Sequence, residues 1–465
     1  MSQTSTSSIY TGLWINWSHG ATLGATITLN QRDGGLLTAF LAIFVSVAGA
    51  ACWKIMSYAI HQCRASQDYQ DALHHQQQAI LQNTDDAAGA LWDFLQLPWY
   101  WRDNEIRSFV RSLPLAFLAL LNIAVFGVAG IFSSDVTKAA GNETLIRSPH
   151  CGFLSPNGVT FQSDDAINIV DLNDTLAATT YSRACYDNTE TALTCNQYVQ
   201  QQLHWTSNEN ATCPFSPDLC IYGSTAAFEM DTGLLDTNEH LGINAAQSDR
   251  IQYGKVTSCS PIHKRGYVTT FNDTDPNDLT YRNLFLDYNY GPILNISNYT
   301  YEYNTHSVAD IYDYILTTWM SNVGSNQAVY ALACAEQHQF CNPTNGMCTP
   351  LSGAFQLVTN LPGLDLNDAQ SYTALTVMST LTFINLFYSV ISRGSNALRA
   401  SETLSQGFQI PLPDNQWMTE VSTWFAVSMT KLQQRTVQYA TGSSYVPEGL
   451  ILVGPANSID IVQEA

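Results

Sequence analysis

Charge is scarce in this chain. Only 12% of its 465 residues are Asp, Glu, Lys or Arg, against roughly 25% in globular proteins. The 18 basic residues are outnumbered by 39 acidic ones, which gives a formal net charge of −21. Nucleic-acid binding requires clustered Lys and Arg side chains that neutralise phosphates, so this composition argues against nucleic acid as a partner. The acidity indicates a solvated surface.

The sequence also lacks the common catalytic and cofactor-binding motifs. It has no Gly-x-Ser-x-Gly elbow, phosphate-binding loop, dinucleotide glycine fingerprint or His-Glu-x-x-His helix. Asp231-Thr232-Gly233 matches the aspartic-protease tripeptide, but that chemistry needs two such turns and the sequence has one. We therefore assign no catalytic residue, cofactor or metal ligand. An enzyme with dispersed active-site residues stays open as an alternative.

Two long runs carry no charge at all. LLTAFLAIFVSVAGAACW begins at Leu36 and ends before Lys54, and LPLAFLALLNIAVFGVAGIF begins at Leu113. Each is long enough to cross ~30 Å of hydrocarbon. Both are apolar all round, which favours a transmembrane helix over a buried globular helix. The first run starts too deep, and without a basic start, for a cleaved signal peptide, so we interpret it as a signal-anchor.

The charges that flank the two runs predict their orientation. Lys54 and Arg64 follow the first run, and Arg102, Arg107 and Arg111 precede the second. Positive residues concentrate on the cytosolic side of a membrane, so the segment between the runs is predicted to be cytosolic.

N-glycosylation sequons agree with this orientation. None lies between the two runs, and one precedes the first. The predicted glycosylated residues are Asn16, Asn142, Asn173, Asn210, Asn272, Asn295 and Asn298. The large domain is therefore predicted to be extracytoplasmic, at the plasma membrane or an endomembrane.

The fold class predicted is a membrane protein with a two-helix transmembrane hairpin and an α+β, disulfide-bonded, glycosylated ectodomain. The predicted segments are an extracytoplasmic tail 1–35, transmembrane helix 36–58, cytosolic helical loop 59–111, transmembrane helix 112–132, ectodomain 133–370, an apolar segment 371–392 and a C-terminal segment 393–465.

The apolar segment near residue 380 has two interpretations. ALTVMSTLTFINLFYSVIS, residues 374–392, is long enough to span a membrane and is followed by Arg393 and Arg399. Its many hydroxyl groups and Asn385 would each need a partner in lipid. A third span and a luminal helix packed on the ectodomain are both open, and we favour the luminal helix.

Nine of the eleven cysteines lie in the predicted ectodomain: Cys151, Cys185, Cys195, Cys213, Cys220, Cys259, Cys334, Cys341 and Cys348. In an oxidising compartment they predict up to four disulfides with one cysteine left over. A recurring seven-residue interval favours short local loops, but spacing does not fix the connectivity. Structural zinc sites usually separate paired ligands by two to four residues, so disulfides are favoured over zinc.

Local patterns predict a mixture of strands and helices in the ectodomain. Alternating polar and apolar residues predict strands in IQYGKVTSC (251–259), GYVTTF (266–271) and 280–303. Helices are predicted at 191–205, 308–320 and 418–440. In the cytosolic loop, residues 68–81 are predicted to be helical, with a break and a new helix start at 83–86.

Three stretches carry a family resemblance: GLWINWSHGATLGATITLNQRDGGLLTAFLAIFV from Gly12, HHQQQAILQN from His74 and PLPDNQW from Pro411. They resemble a large, uncharacterised family of multi-pass membrane proteins of filamentous fungi, over roughly Thr11 to Tyr439. The resemblance implies an N-out helical hairpin with a glycosylated, cysteine-containing ectodomain. Many members continue into a further apolar segment and cytosolic tail, whereas this chain ends in LILVGPANSIDIVQEA. The family has no established active site, so no catalytic residue is transferred.

The predicted function is that of an accessory membrane glycoprotein. The position of some family members beside secondary-metabolite genes implies support of such a biosynthetic pathway. The predicted partners are the lipid bilayer and other membrane or pathway proteins. The alternatives are a membrane-bound enzyme acting on a small apolar substrate and a cell-surface sensor.

Overall fold

The computed structural model describes residues 9–66, 69–102, 108–132, 143–148, 151–157, 161–187, 195–215, 219–263, 268–273, 283–288, 310–317, 329–381, 383–405, 408–409, 412–442, 446–453 and 461–464. The chain divides into two compact units. One comprises Ile27–Asn142, and the other comprises Met1–Thr26 with Glu143–Ala465. We call them the helical unit and the α+β unit.

The first elements of the chain are short. They are β1 (Gly12–Ile15), a 3-10 turn (Trp17–His19), α1 (Gly20–Leu23) and β2 (Ala25–Thr28). Four helices follow: α2 (Gln31–Arg64), α3 (Ala72–Asn83), α4 (Ala87–Tyr100) and α5 (Ser108–Phe132). Asp86 caps α4 by accepting a hydrogen bond from the Gly89 N–H at 2.6 Å. The helix predicted at 68–81 is confirmed from Ala72 onward, residue 68 lies outside the described residues, and the predicted new start at 83–86 is confirmed.

Two helices of the helical unit are long and apolar enough to cross a membrane. They are α2 and α5, with mean hydropathies of 2.2 and 2.4 over their most apolar windows. Only 6% and 22% of these windows are buried. Large side chains such as Phe40, Phe44 and Phe117 are therefore exposed, which is unfavourable in water. These helices indicate membrane association. The helix α2 extends beyond the predicted span 36–58 at both ends.

The long helices α2 and α5 share one buried apolar core with the short helices α3 and α4. Trp53 of α2 and Phe94 of α4 are fully buried against Ala90 of α4 and Ala119 of α5. A Cβ added at Gly49 would lie 2.9 Å from the Phe126 ring, so α2 and α5 approach closely at a point that requires glycine.

The α+β unit is built on an antiparallel sheet of six strands, with five in the order β10-β11-β7-β6-β5 and β12 paired to β11. The strands are β5 (Thr206–Ala211), β6 (Ala227–Asp236), β7 (Gln252–Ile262), β10 (Asp310–Thr317), β11 (Val329–Asn342) and β12 (Met347–Cys348). The central strand β7 is buried along almost its whole length, which is typical of a strand covered on both faces.

Besides α1, five α-helices are described in the same unit: α6 (Phe161–Cys185), α7 (Ala354–Asn360), α8 (Asp368–Leu381), α9 (Leu386–Ile391) and α10 (Gln416–Thr441). The helix α10 packs against α6, α8 and α9. Trp424 and Phe425 of α10 are buried in one apolar core with Tyr253 and Phe340 of the sheet.

Small two-stranded sheets complete the unit. They are β3 (Glu143–Ile146) with β16 (Ile461–Glu464), β4 (Phe153–Pro156) with β15 (Leu450–Val453), β8 (Val268–Asp273) with β9 (Asn283–Tyr288), and β13 (Leu404–Ser405) with β14 (Phe408–Gln409). The α+β class is thus confirmed, as are the predicted strand at 251–259 and the predicted helix at 418–440. The strand predicted at 266–271 is confirmed from Val268 onward, and residues 266–267 lie outside the described residues. The strand predicted at 280–303 is confirmed at β9, and residues 280–282 and 289–303 lie outside the described residues.

Two predicted helices are wrong. Residues 310–317 form a strand, with Tyr312 opposite Cys334 of β11, because aromatic and β-branched side chains suit a pleated surface. Residues 196–205 form no helix, and residues 191–194 lie outside the described residues. Cys195 is bonded to Cys185, and the Tyr181 hydroxyl donates to the carbonyls of Cys195 and Gln201. Those carbonyls are therefore engaged by a side chain rather than by a helical backbone.

Candidate functional site

A buried ion pair joins β7 to β11 at the centre of the sheet. Lys255 and Glu336 have fully buried side chains, and Lys255 Nζ lies 2.7 Å from Glu336 Oε1. Lys255 also donates to the Ile384 carbonyl at 2.9 Å and to Ser428 Oγ at 2.8 Å. Glu336 Oε2 accepts from the Leu386 N–H at 3.1 Å. The pair therefore satisfies backbone groups at the break between α8 and α9.

This break determines the form of the apolar segment 374–392. The segment is divided between α8 and α9, which are 14 and 6 residues long. Ala374, Val377 and Leu386 are fully buried in the core of the α+β unit. At 1.5 Å per residue, α8 reaches about 21 Å, which is less than the ~30 Å hydrocarbon thickness.

A second buried charge cluster joins α6 to α10. Lys431 Nζ lies 2.7 Å from Asp171 Oδ1, and Arg435 lies 2.8 Å from Asp174 Oδ2. Thr175 accepts a further hydrogen bond from Lys431 at 2.9 Å. Burial lowers the pKa of Lys431 to about 8, and the neighbouring Asp171 opposes this shift. These ionisable groups have close partners within the fold, which gives them a structural role.

An open cleft of about 350 Å³ lies where the end of α6 meets α10. We call it the aromatic cleft. Trp205 stacks on Tyr186 with ring centroids 5.7 Å apart, and it forms a T-shaped pair with Phe425, with centroids 5.1 Å apart. The Tyr186 hydroxyl accepts from the Leu203 N–H at 2.8 Å, and burial raises the pKa of Tyr186.

The remaining lining of the aromatic cleft is mostly polar. Arg399 pairs with Asp187 at 2.6 Å on one side. Hydroxyl side chains of α10 line the other, among them Ser422 and Thr423. A nearby disulfide holds the end of α6, and Gln202 donates to the Cys185 carbonyl. An aromatic base with charged and hydroxyl walls is suited to binding a polar ligand.

The structure brings eight of the nine candidate cysteines together in four pairs, as expected for nine: Cys185–Cys195, Cys213–Cys220, Cys259–Cys334 and Cys341–Cys348. Cys151 is the one outside a disulfide. Two of the pairs close seven-residue loops, as the recurring interval favoured. Cys334 instead pairs across the sheet with Cys259, its direct neighbour in register.

The described sequons differ in exposure. Asn173 on α6 and Asn210 on the edge strand β5 are exposed. Asn16 is only 2% exposed, and its amide nitrogen donates to the Glu143 carboxylate. A glycan on that nitrogen requires this contact to break. Asn272 belongs to β8, while Asn142, Asn295 and Asn298 lie outside the described residues.

The protease-like tripeptide has a local structural explanation. Asp231 Oδ1 accepts from the Gly233 N–H at 2.7 Å, and Gly233 has φ of +59°. The register between β6 and β7 shifts at this point. The tripeptide therefore forms a β-bulge, in which glycine is needed for the left-handed backbone. In the described part of the chain, no cluster of three or more His, Cys, Asp or Glu side chains suits a metal ion.

Sequence reasoning missed the walls of the aromatic cleft because it missed α6. The buried face of this helix carries Asp171, Asp174 and Thr175, polar residues that a sequence pattern assigns to the solvent-exposed side of a helix. The signal available was indirect, since Lys431 and Arg435 are two of the few basic residues and lie on a predicted helix.

No family model, curated protein or solved structure matches this chain.

Proposed function

We propose that this protein is a membrane-anchored glycoprotein whose extracytoplasmic α+β unit works by binding, as an accessory component or sensor. The observation that carries the proposal is that the exposed apolar helices and the disulfides belong to different units. The exposed apolar helices α2 and α5 belong to one unit, and all four disulfides belong to the other. Disulfides persist in oxidising, extracytoplasmic compartments.

In the proposed topology, α2 and α5 each cross the bilayer and the α3–α4 hairpin is cytosolic. The flanking charges support this orientation. Trp92, Trp99 and Tyr100 of α4 are exposed, and aromatic side chains of this kind favour the headgroup zone. The burial of α8 and α9 in the α+β unit supports two spans rather than three.

A binding role is supported by the contacts of the ionisable and hydroxyl groups, which are engaged within the fold. The buried charges around Lys255 and Lys431 hold strands and helices together. Within the aromatic cleft, Asp187 is paired with Arg399, and Ser182 donates to the Thr179 carbonyl at 3.0 Å. The polar lining favours a polar ligand over the small apolar substrate of the enzyme hypothesis.

Protease mapping in sealed vesicles tests the topology. A tag inserted near Asn83 is expected to be protected from external protease. A matched tag in the exposed turn at Gly346 is expected to be cleaved when the vesicles present the extracytoplasmic side. An engineered sequon around residue 443 is expected to gain a glycan. Cleavage at the first tag with protection at the second would reverse the proposed orientation.

Gene deletion with metabolite profiling tests the accessory role. A general fall in the yield of one pathway, without a new precursor, is expected. Accumulation of a single precursor would instead identify an enzymatic step and refute a purely binding role.

A further inference from the structure

We propose that a second cleft, between α6 and residues 392–402, binds the carboxylate of a small amphiphilic acid. The cleft has a volume of about 330 Å³ and is lined by Arg183, Arg393 and Glu402 together with Leu172 and Leu176. The inference rests on the proposed binding role and supplies a ligand class for it. We call this the arginine cleft.

The charges around the cleft do not balance. Glu402 lies 2.5 Å from Arg183 and 4.0 Å from Arg399, and Arg399 also lies 2.6 Å from Asp187. These two cations and two anions form a neutral alternating chain. Arg393 is additional to it. Its Nη1 donates to the neutral Thr179 hydroxyl at 3.2 Å.

The Arg393 guanidinium can still form an ion pair and donate further hydrogen bonds. Among the described residues, no carboxylate lies within ion-pair distance of it, and its buried Nε has no acceptor there. Burial lowers the pKa of Arg393, the nearby Arg183 adds to this shift, and Glu402 opposes it. An unpaired, partly buried cation is costly, so an anion that pairs with it would be stabilised. The net charge of −21 makes such a cation unusual in this chain.

A monoanionic carboxylate fits this site better than a phosphate. One uncompensated positive charge is neutralised by one negative charge. A phosphate dianion would add a second negative charge beside Glu402, which is repulsive. A planar carboxylate also matches the two parallel N–H donors of a guanidinium.

The apolar wall predicts that the ligand has a hydrocarbon part. Leu172 and Leu176 are 36% and 45% exposed, and Ile169, on the same helix, is 60% exposed. Their spacing of three and four residues places them on one face of α6. This apolar face extends along α6 away from the guanidinium groups. An acid with a short hydrocarbon chain can therefore pair its carboxylate with Arg393 while its chain covers the apolar face.

Octanoate is the probe, and acetate, 1-octanol and octyl phosphate are the comparators. Binding to the purified full-length protein in nanodiscs is measured by isothermal titration calorimetry, with empty nanodiscs subtracted. Octanoate is expected to bind at least about tenfold more tightly than acetate or octanol, since each lacks one of the two interactions.

Three variants test the site. Arg393→Gln is expected to weaken octanoate binding roughly tenfold or more. Glu402→Gln is expected to strengthen it, because a competing anion is removed. Arg147→Gln removes the same charge from an exposed position and is expected to leave binding unchanged. Circular dichroism of each variant monitors folding, and Arg393→Lys retains the charge if the glutamine variant does not fold.

Equal binding by wild type and Arg393→Gln, or weaker binding by Glu402→Gln, would overturn the inference. Tighter binding of octyl phosphate or equal binding of acetate would overturn the ligand class. Absence of octanoate binding would refute the proposed site. It would leave the proposed membrane topology standing, because protease mapping in vesicles tests that topology independently.

Discussion

Removing the cation from the pair at the centre of the sheet is expected to destabilise the α+β unit severely. The Lys255 and Glu336 side chains are both fully buried, and their charged atoms are 2.7 Å apart. In Lys255→Met, the Glu336 carboxylate remains buried without its cation, and the Ile384 carbonyl loses a donor. Removal of one member of a buried pair costs about 3–5 kcal/mol. We expect a loss of this size in the free energy of unfolding.

The double variant Lys255→Met with Glu336→Gln separates the charge effect from simple loss of packing. Glutamine can still accept a hydrogen bond from the Leu386 N–H, and it leaves no unpaired charge. The double variant is therefore expected to be less destabilised than the sum of the single variants, by a coupling free energy of about 1–3 kcal/mol. Glu239→Gln is the surface control. Glu239 is 61% exposed in its pair with Arg250, so a change within about 0.5 kcal/mol is expected.

The assay is urea unfolding of the oxidised full-length protein in detergent, followed by near-ultraviolet circular dichroism. This signal reports the aromatic core around Trp424 and Phe425. A Lys255→Met variant within about 1 kcal/mol of wild type would refute the reasoning, since it is well below the cost of a buried unpaired charge. Strict additivity of the two single substitutions would refute it as well.

Three further predictions follow from individual residues. Asn173→Gln is expected to remove one glycan from the apparent mass after electrophoresis, whereas Asn16→Gln is expected to leave the mass unchanged because its side chain is buried and bonded; a mass change at Asn16 would contradict the folded geometry. In the α+β unit, only Cys151 is expected to react with maleimide after denaturation without reductant, as mass spectrometry of labelled peptides would determine, and labelling of any other cysteine there would contradict the pairing. The hydrogen bond from Arg111 lowers the pKa of Asp71 to about 2, below the unfolded value of ~3.9. Its stabilising contribution is therefore complete above pH ~4 and is lost as pH falls towards 2. Asp71→Asn is expected to abolish this part of the acid dependence of unfolding, and an unchanged profile would contradict it.

Features with local causes were predictable from the sequence. The long apolar runs predicted α2 and α5, and the Asn-Thr-Asp-Asp stretch predicted the start of α4 because Asp86 is a good N-cap. The helix α10 followed from its length and periodicity. The number of disulfides followed from the cysteine count and the inferred compartment, without any knowledge of the fold.

Features with distant causes were not predictable. The helix α6 has a polar buried face that makes sense only beside Lys431 and Arg435 of α10, about 260 residues away in the chain. The sequence around β10 predicts a helix, whereas the strand forms by pairing with β11, which is a tertiary contact. The aromatic and arginine clefts depend on α6, so neither was accessible to sequence reasoning.

In the segment 374–392, charged residues that are distant in sequence determine the structure of a locally hydrophobic stretch. Read alone, its 19 uncharged residues fit a membrane span. In the fold, Lys255 contacts the Ile384 carbonyl across 129 positions of sequence, and Glu336 contacts the Leu386 N–H across 50. These contacts satisfy two of the backbone groups that a helix break leaves without intrahelical partners, which lowers the cost of the break. In lipid the same break would leave those groups unpaired. Hydroxyl groups along the segment are also satisfied within the fold. Thr376 and Ser389 each donate a hydrogen bond to a backbone carbonyl one turn earlier. A pair of charges buried in the sheet is therefore the physical reason that this segment packs in the core of the α+β unit.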